Sequence, residues 1–136
     1  MSHSYYGVIP FENSYQGVIN SSLNCLIDYD LKILKEFNFS VSHNLCSMNE
    51  DFDINSIKRI TSHPQVFGQC NNWIRTNIPD VEKIIATSTA EAASEASKDK
   101  ELFCIANSYA IELFGLHTHQ ENIQDSNDNK TRFLVI

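Results

Sequence analysis

Ile57-Lys58-Arg59-Ile60-Thr61-Ser62-His63-Pro64-Gln65 joins a short β-branched run to residues that start helices. The run predicts a strand over residues 57–61. Pro64, whose missing N–H costs nothing in a first turn, predicts a helix over 64–76. The alternation then repeats. A strand over 81–87 precedes a helix over 89–97, and a strand over 102–106 precedes a helix over 108–114, which Gly115 can end in a left-handed cap. Such βαβαβα order predicts an α/β protein with a parallel sheet and right-handed crossovers.

Outward from this core the pattern is looser. Residues 5–9 read as a strand ending at Pro10. Val18, Ile19, Leu23, Leu26 and Ile27 predict a helix over 17–29. Residues 31–46 are extended, with β-rich pieces at 31–34 and 37–41, and 49–55 form a polar, acidic loop. Residues 116–123 give no clear pattern. After a polar turn over 125–130, an apolar strand over 131–136 closes the chain.

At 136 residues this is one domain, or two very small ones. Hydrophobic residues at 42 % and charged residues at 20 % give a globular composition. The net charge of −7, from 10 basic and 17 acidic residues, offers no Lys/Arg face to phosphates and argues against nucleic-acid binding. No apolar stretch approaches the ~20 residues a bilayer requires, so no membrane partner is expected. Residues 1–15 lack the basic start and apolar run of a signal peptide, so a cytoplasmic chain is expected. Cys25, Cys46, Cys70 and Cys104 are unevenly spaced among apolar neighbours, with no C-x-x-C pair, and read as buried reduced thiols. His117 and His119 share one side of a possible strand but lack a third ligand nearby, so no metal site is assigned.

Four segments suit chemistry. Ser62 and Gln65 have the spacing of a helix capping box, and Ser88 and Glu91 repeat it after the next strand. Both can be plain caps. Equally, helix starts at the carboxyl edge of a parallel sheet present unpaired N–H groups that bind carboxylates or phosphates without basic side chains. Glu12-Asn13-Ser14, after the first strand, is a turn or a set of groups able to position a substrate hydroxyl. Thr131-Arg132-Phe133 opens the last strand, where Thr131 and Arg132 point to opposite faces.

Taken together, these segments resemble the catalytic domain of prephenate dehydratases. The resemblance runs in order through Gly7-Val8-Ile9-Pro10-Phe11-Glu12-Asn13-Ser14-Tyr15-Gln16-Gly17, His43 in its Val-Ser-His-Asn-Leu setting, and Ser62-His63-Pro64-Gln65 continuing to Gln69-Cys70. It goes on through Ser88-Thr89-Ala90-Glu91-Ala92-Ala93, Ile105-Ala106-Asn107-Ser108, Leu113-Phe114-Gly115-Leu116 and Ile123-Gln124-Asp125. It ends in Asn129-Lys130-Thr131-Arg132-Phe133.

The resemblance implies a two-lobed α/β fold like that of type II periplasmic binding proteins, with the active site in the cleft between lobes. It implies decarboxylating dehydration of prephenate to phenylpyruvate, the aromatising step of phenylalanine synthesis, or of arogenate in some relatives. No metal or organic cofactor is implied. Thr131 matches the family's best-supported catalytic residue. Glu12, Asn13, Ser14, Ser62, Gln69, Ser88, Thr89, Arg132 and Phe133 fall at substrate-binding positions. Among these, Asn13 and Gln69 would hold polar groups, Phe133 would wall the ring, and Arg132 would bind or anchor the motif. His63 and Pro64 are read as architectural.

Two departures stand out. Residues 1–6 do not match the family's upstream Gly-Pro-x-Gly-Thr-Phe/Tyr-Ser segment, and control through a phenylalanine-sensing ACT domain is not expected of this chain. The expectation is therefore a first lobe truncated to residues 1–44 and 116–136, and a complete second lobe over 45–115. The isolated chain is expected to be marginally stable or self-associating. Three readings follow: an enzyme completed by a second copy or a complementing N-terminal segment, an inactive remnant, or a small-acid binding module.

Overall fold

The structure, a computed structural model, describes residues 5–136. Of residues 1–6, which do not match the upstream motif, residues 1–4 lie outside the described part. The chain divides into two compact units. Unit 1 runs to Val41 and takes back Asp128–Ile136, and unit 2 is Ser42–Asn127.

Unit 1 carries β1 (Val8–Asn13), β2 (Gly17–Val18), α1 (Asn20–Asp28), β3 (Lys35–Ser40) and β9 (Lys130–Val135). Its sheet is antiparallel in the order β2-β1-β9-β3. The first strand does not stop at Pro10 but runs on to Asn13. β2 reaches only Glu12 and Asn13, so Pro10 sits where β9 is the neighbouring strand, an edge position that tolerates a missing donor. A register shift separates Pro10 from Glu12, leaving Glu12 opposite Arg132 and Asn13 opposite Thr131. Gly17 takes φ of 76° to turn into β2. The helix predicted from residue 17 therefore starts only at Asn20. Residues 31–34 form no strand.

Unit 2 carries β4 (Asn44–Ser47), β5 (Arg59–Ser62), α2 (Pro64–Gln69), α3 (Asn71–Asn77) and β6 (Glu82–Ile85). It continues with α4 (Thr89–Lys98), β7 (Leu102–Ala106), α5 (Ser108–Phe114) and β8 (His117–Gln120). The sheet order is β6-β5-β7-β4-β8. β5 is parallel to β6 and β7, as the alternation predicts. β4 is antiparallel to β7 and β8, so the sheet is mixed. β4 enters before the alternation begins, with no crossover helix to reverse it. Unit 2 is wider than residues 45–115 because β8 and the chain through Asn127 belong to it.

Both faces of this sheet are covered. Leu45, Ile60, Phe103 and Ile105 pack with Val66, Phe67, Cys70 and Ile74 of the α2–α3 segment. Cys46, Cys104 and Ala106 pack with Ala92, Ala93, Ala96, Ala110 and Ile111 of α4 and α5. The alternation of Leu45 with Cys46, and of Ile105 with Cys104, divides them between the two faces. Small alanines let α4 lie close to the strands. Each buried Leu or Ile contributes about 1.5–3 kcal/mol.

The helix predicted over 64–76 is broken at Cys70, whose φ of −114° and ψ of 13° are not helical. Asp125 causes the break. Its N–H takes the Gln69 carbonyl at 2.7 Å, and its carboxylate accepts from Asn72 N at 3.0 Å. Burial, and then the Asp125 charge, push the Cys70 thiol up to about 12. Cys46 and Cys104 are buried as predicted, but Cys25 is exposed on α1, whose apolar stripe is short.

Candidate functional site

In unit 1 the polar groups gather where β1 and β9 pair. Asn13 Oδ1 accepts from the N–H of Tyr15 at 3.0 Å and of Gln16 at 3.3 Å, a side-chain-closed turn. Asn13 Nδ2 donates to Thr131 Oγ1 at 2.9 Å, to Asn129 Oδ1 at 3.0 Å and to the Lys130 carbonyl at 3.4 Å. Ser14 Oγ donates to the Asp128 carbonyl at 2.8 Å and accepts from Lys130 N at 2.9 Å. Asn13 and Ser14 thus tie the turn after β1 to the start of β9.

The opposite face holds a different chemistry. Arg132 Nε lies 3.1 Å from the Glu36 carboxylate, and its Nη1 lies 3.9 Å from Glu12, directly across the strands. The guanidinium also sits 5.3 Å from the Phe11 ring centroid. Phe133, on the Thr131 face, stacks on Phe37 with centroids 5.4 Å apart and planes at 15°.

In unit 2 the carboxyl ends of β5, β6 and β7 share one edge, where open α/β sheets bind ligands. Ser62 ends β5 there. Its side chain is fully buried, and its Oγ donates to the Ile105 carbonyl at 2.9 Å. The predicted Ser62–Gln65 capping box is therefore corrected: His63 is the N-cap, and its Nδ1 accepts from Gln65 N at 3.1 Å. The Ser62 hydroxyl is directed across the sheet to β7, and the helix begins one residue later with His63 at its cap. Ser88 does cap α4, accepting from Glu91 N at 3.0 Å. Glu91 reaches back to Thr87 N and Oγ1 rather than to Ser88, and these bonds hold its carboxyl below the usual range. Thr89, half-buried, opens the helix.

His43 was noted in the sequence without a role. It is 5 % exposed, and its Nε2 lies 2.6 Å from Gln69 Oε1. An amide oxygen only accepts, so Nε2 carries the proton and donates. His43 N donates to Gln124 Oε1 at 2.9 Å, and its carbonyl accepts from Ile123 N at 2.9 Å. Nδ1 is buried with no hydrogen-bond partner, and desolvation lowers the imidazole's pKa. The sequence signal for this pair was weak, since a lone His and a helical Gln share no spacing. A cavity of about 740 Å³ in the same unit is lined by Asn49, Arg59, Glu82 and Phe103. It lies at the amino ends of the parallel strands and contains none of the predicted site residues.

Among the described residues, no group of three or more His, Cys, Asp or Glu is placed to hold a metal ion. His119 of the considered pair lies 2.7 Å from Ser47 Oγ through Nε2 and stacks on Phe52. No described helix is long and apolar enough to cross a membrane.

The family model for prephenate dehydratase matches residues 2–136, and the chain belongs to that family. It is 37 % identical over 131 residues to the bifunctional chorismate mutase/prephenate dehydratase of Aquifex aeolicus, covering 96 % of this chain and 36 % of that protein. The crystal structure of prephenate dehydratase from Staphylococcus aureus is 27 % identical with a TM-score of 0.81, covering 96 % of this chain and 47 % of the other. GqqA, described as a novel type of quorum-quenching acylase, is 26 % identical with a TM-score of 0.79, covering 96 % and 46 %. The chain spans less than half the length of these curated relatives, from 35 % to 47 %.

Proposed function

We propose that this chain contributes to the decarboxylating dehydration of prephenate to phenylpyruvate, in the cytoplasm, as part of a dehydratase completed by a second copy or a complementing segment. In this reaction the ring's carboxylate leaves as carbon dioxide, and its bonding electrons enter the ring. The C4–O bond breaks, and the departing hydroxide takes a proton to become water. The substrate is primed to aromatise, so the protein has to orient it and supply a donor to the leaving oxygen. A positioned donor contributes roughly 10²–10⁴-fold in rate.

The reading is carried by Thr131, a half-buried hydroxyl on β9 whose oxygen is held by Asn13 at 2.9 Å, in a chain of this family. Thr131 is assigned as the donor to the leaving hydroxyl. Phe133 offers an apolar wall on the same sheet face. Gln69, Ser88 and Thr89 are retained as substrate-binding candidates on their match to the family's motifs alone. Glu12, Ser14, Ser62 and Arg132 hold their local frames through the bonds described above.

The test is product formation by the purified chain, phenylpyruvate from prephenate and phenylalanine from arogenate, with the two assayed as separate substrates. Thr131→Val is expected to lose about 100-fold or more of turnover with an unchanged circular dichroism spectrum. A loss of only a few-fold, with folding intact, would refute the assignment.

A further inference from the structure

Asn13 was expected to hold a polar group of the substrate. Its bonds assign it another task. A backbone N–H can only donate, so the Asn13 atom facing the N–H groups of Tyr15 and Gln16 has to be the carbonyl oxygen. The remaining side-chain atom is then the NH₂ group. It meets Thr131 Oγ1 at 2.9 Å and Asn129 Oδ1 at 3.0 Å, with the Lys130 carbonyl a longer third acceptor at 3.4 Å, and an amide NH₂ can only donate. The Thr131 oxygen therefore accepts from Asn13, and its own proton has to be donated elsewhere.

We infer that Asn13 is a positioning residue that fixes the polarity of the Thr131 hydroxyl, making it an outward hydrogen-bond donor, rather than a group that binds substrate. The assignment deepens the dehydratase reading and rests on it for its catalytic meaning. Neutral threonine is a weak acid, and a donated bond to its oxygen polarises the O–H in the direction the leaving group needs. Asn13 lies in register opposite Thr131, so the two side chains share a sheet face.

Asn13→Asp is the discriminating variant. One carboxylate oxygen keeps the turn with Tyr15 and Gln16, and the other, an acceptor only, captures the Thr131 proton. The expected result is a fall in kcat of about 100-fold with KM nearly unchanged, the mark of an interaction made in the transition state. A raised KM with kcat intact would return Asn13 to substrate binding and overturn the inference. A second measurement does not depend on turnover. In the ¹⁵N-labelled chain, Thr131→Val is expected to shift the Asn13 side-chain NH₂ resonances and speed their exchange with water, and Thr131→Ser to restore them. Unchanged resonances in Thr131→Val would overturn the inference. A wild-type chain without dehydratase activity but with the expected resonance changes would count against the functional reading alone, and would leave the hydrogen-bond polarity supported.

Discussion

The two units use their sheets differently. In unit 2 every residue of β4 and β7 is buried, and helices lie on both faces. In unit 1 every residue of β3 is exposed, with Phe37 at 40 % and Phe39 at 58 %. β3 also lies at the end of its sheet, so it presents an open row of backbone groups beside an aromatic face. Unit 1 buries Leu134 from β9, whereas unit 2 supplies most of the buried hydrophobic residues. Hydrophobic stabilisation scales with apolar area removed from water, so the stability of this chain resides mainly in unit 2. The polar cluster around Thr131 stands on the weaker support, held by hydrogen bonds in place of a core.

The largest effect expected from this contrast is Ile105→Ala. Ile105 is fully buried at the centre of the unit 2 sheet, and its truncation should cost about 2–5 kcal/mol in urea unfolding. A cost below 1 kcal/mol would contradict the core described here. Ser62→Ala should cost about 1–3 kcal/mol in the same measurement, because it removes the buried donor to the Ile105 carbonyl.

Acidification should act through His43 next. Its folded pKa lies below the ordinary value of about 6.5, so the unfolded chain takes up the proton first. The neutral imidazole's contribution is full above that value and is lost as pH falls through the folded pKa. His43→Gln should flatten the fall of Tm with pH, leaving the part due to His119, which burial also shifts down. An unaltered slope would exclude His43 as a source. The smallest effect is expected for Phe39→Ser on exposed β3, within about 0.5 kcal/mol on stability. Sedimentation should show reduced self-association in this variant. A large loss of stability would instead reveal that the aromatic face is covered in solution.

The same contrast governs what could be read in the letters. β7, α4 and α5 were legible, because periodicity, the Ser88 cap and Gly115 with φ of 67° all act locally. The break at Cys70 was not, because it is imposed by Asp125 from a distant part of the chain. Ser62 followed a capping spacing but is committed to a neighbouring strand, and only the sheet register reveals that. In unit 1 the strand through Pro10 was missed because proline's local preference gave way to an edge position. The site residues were named through family motifs. Their hydrogen-bond directions, which decide what each can do, depend on pairings that no single segment encodes.

One consequence follows from the irregularity in β1. Were the same residues paired without this bulge, Asn13 would fall opposite Lys130 and its side chain would turn to the other side of the sheet. Deleting the extra residue would close the bulge and leave Asn13 opposite Thr131, whereas inserting one more residue after it would spare every chemical group of the cluster and still part the amide from the hydroxyl. The length of this strand, counted in single residues, is thus as much a determinant of the chemistry as the identity of the side chains it carries.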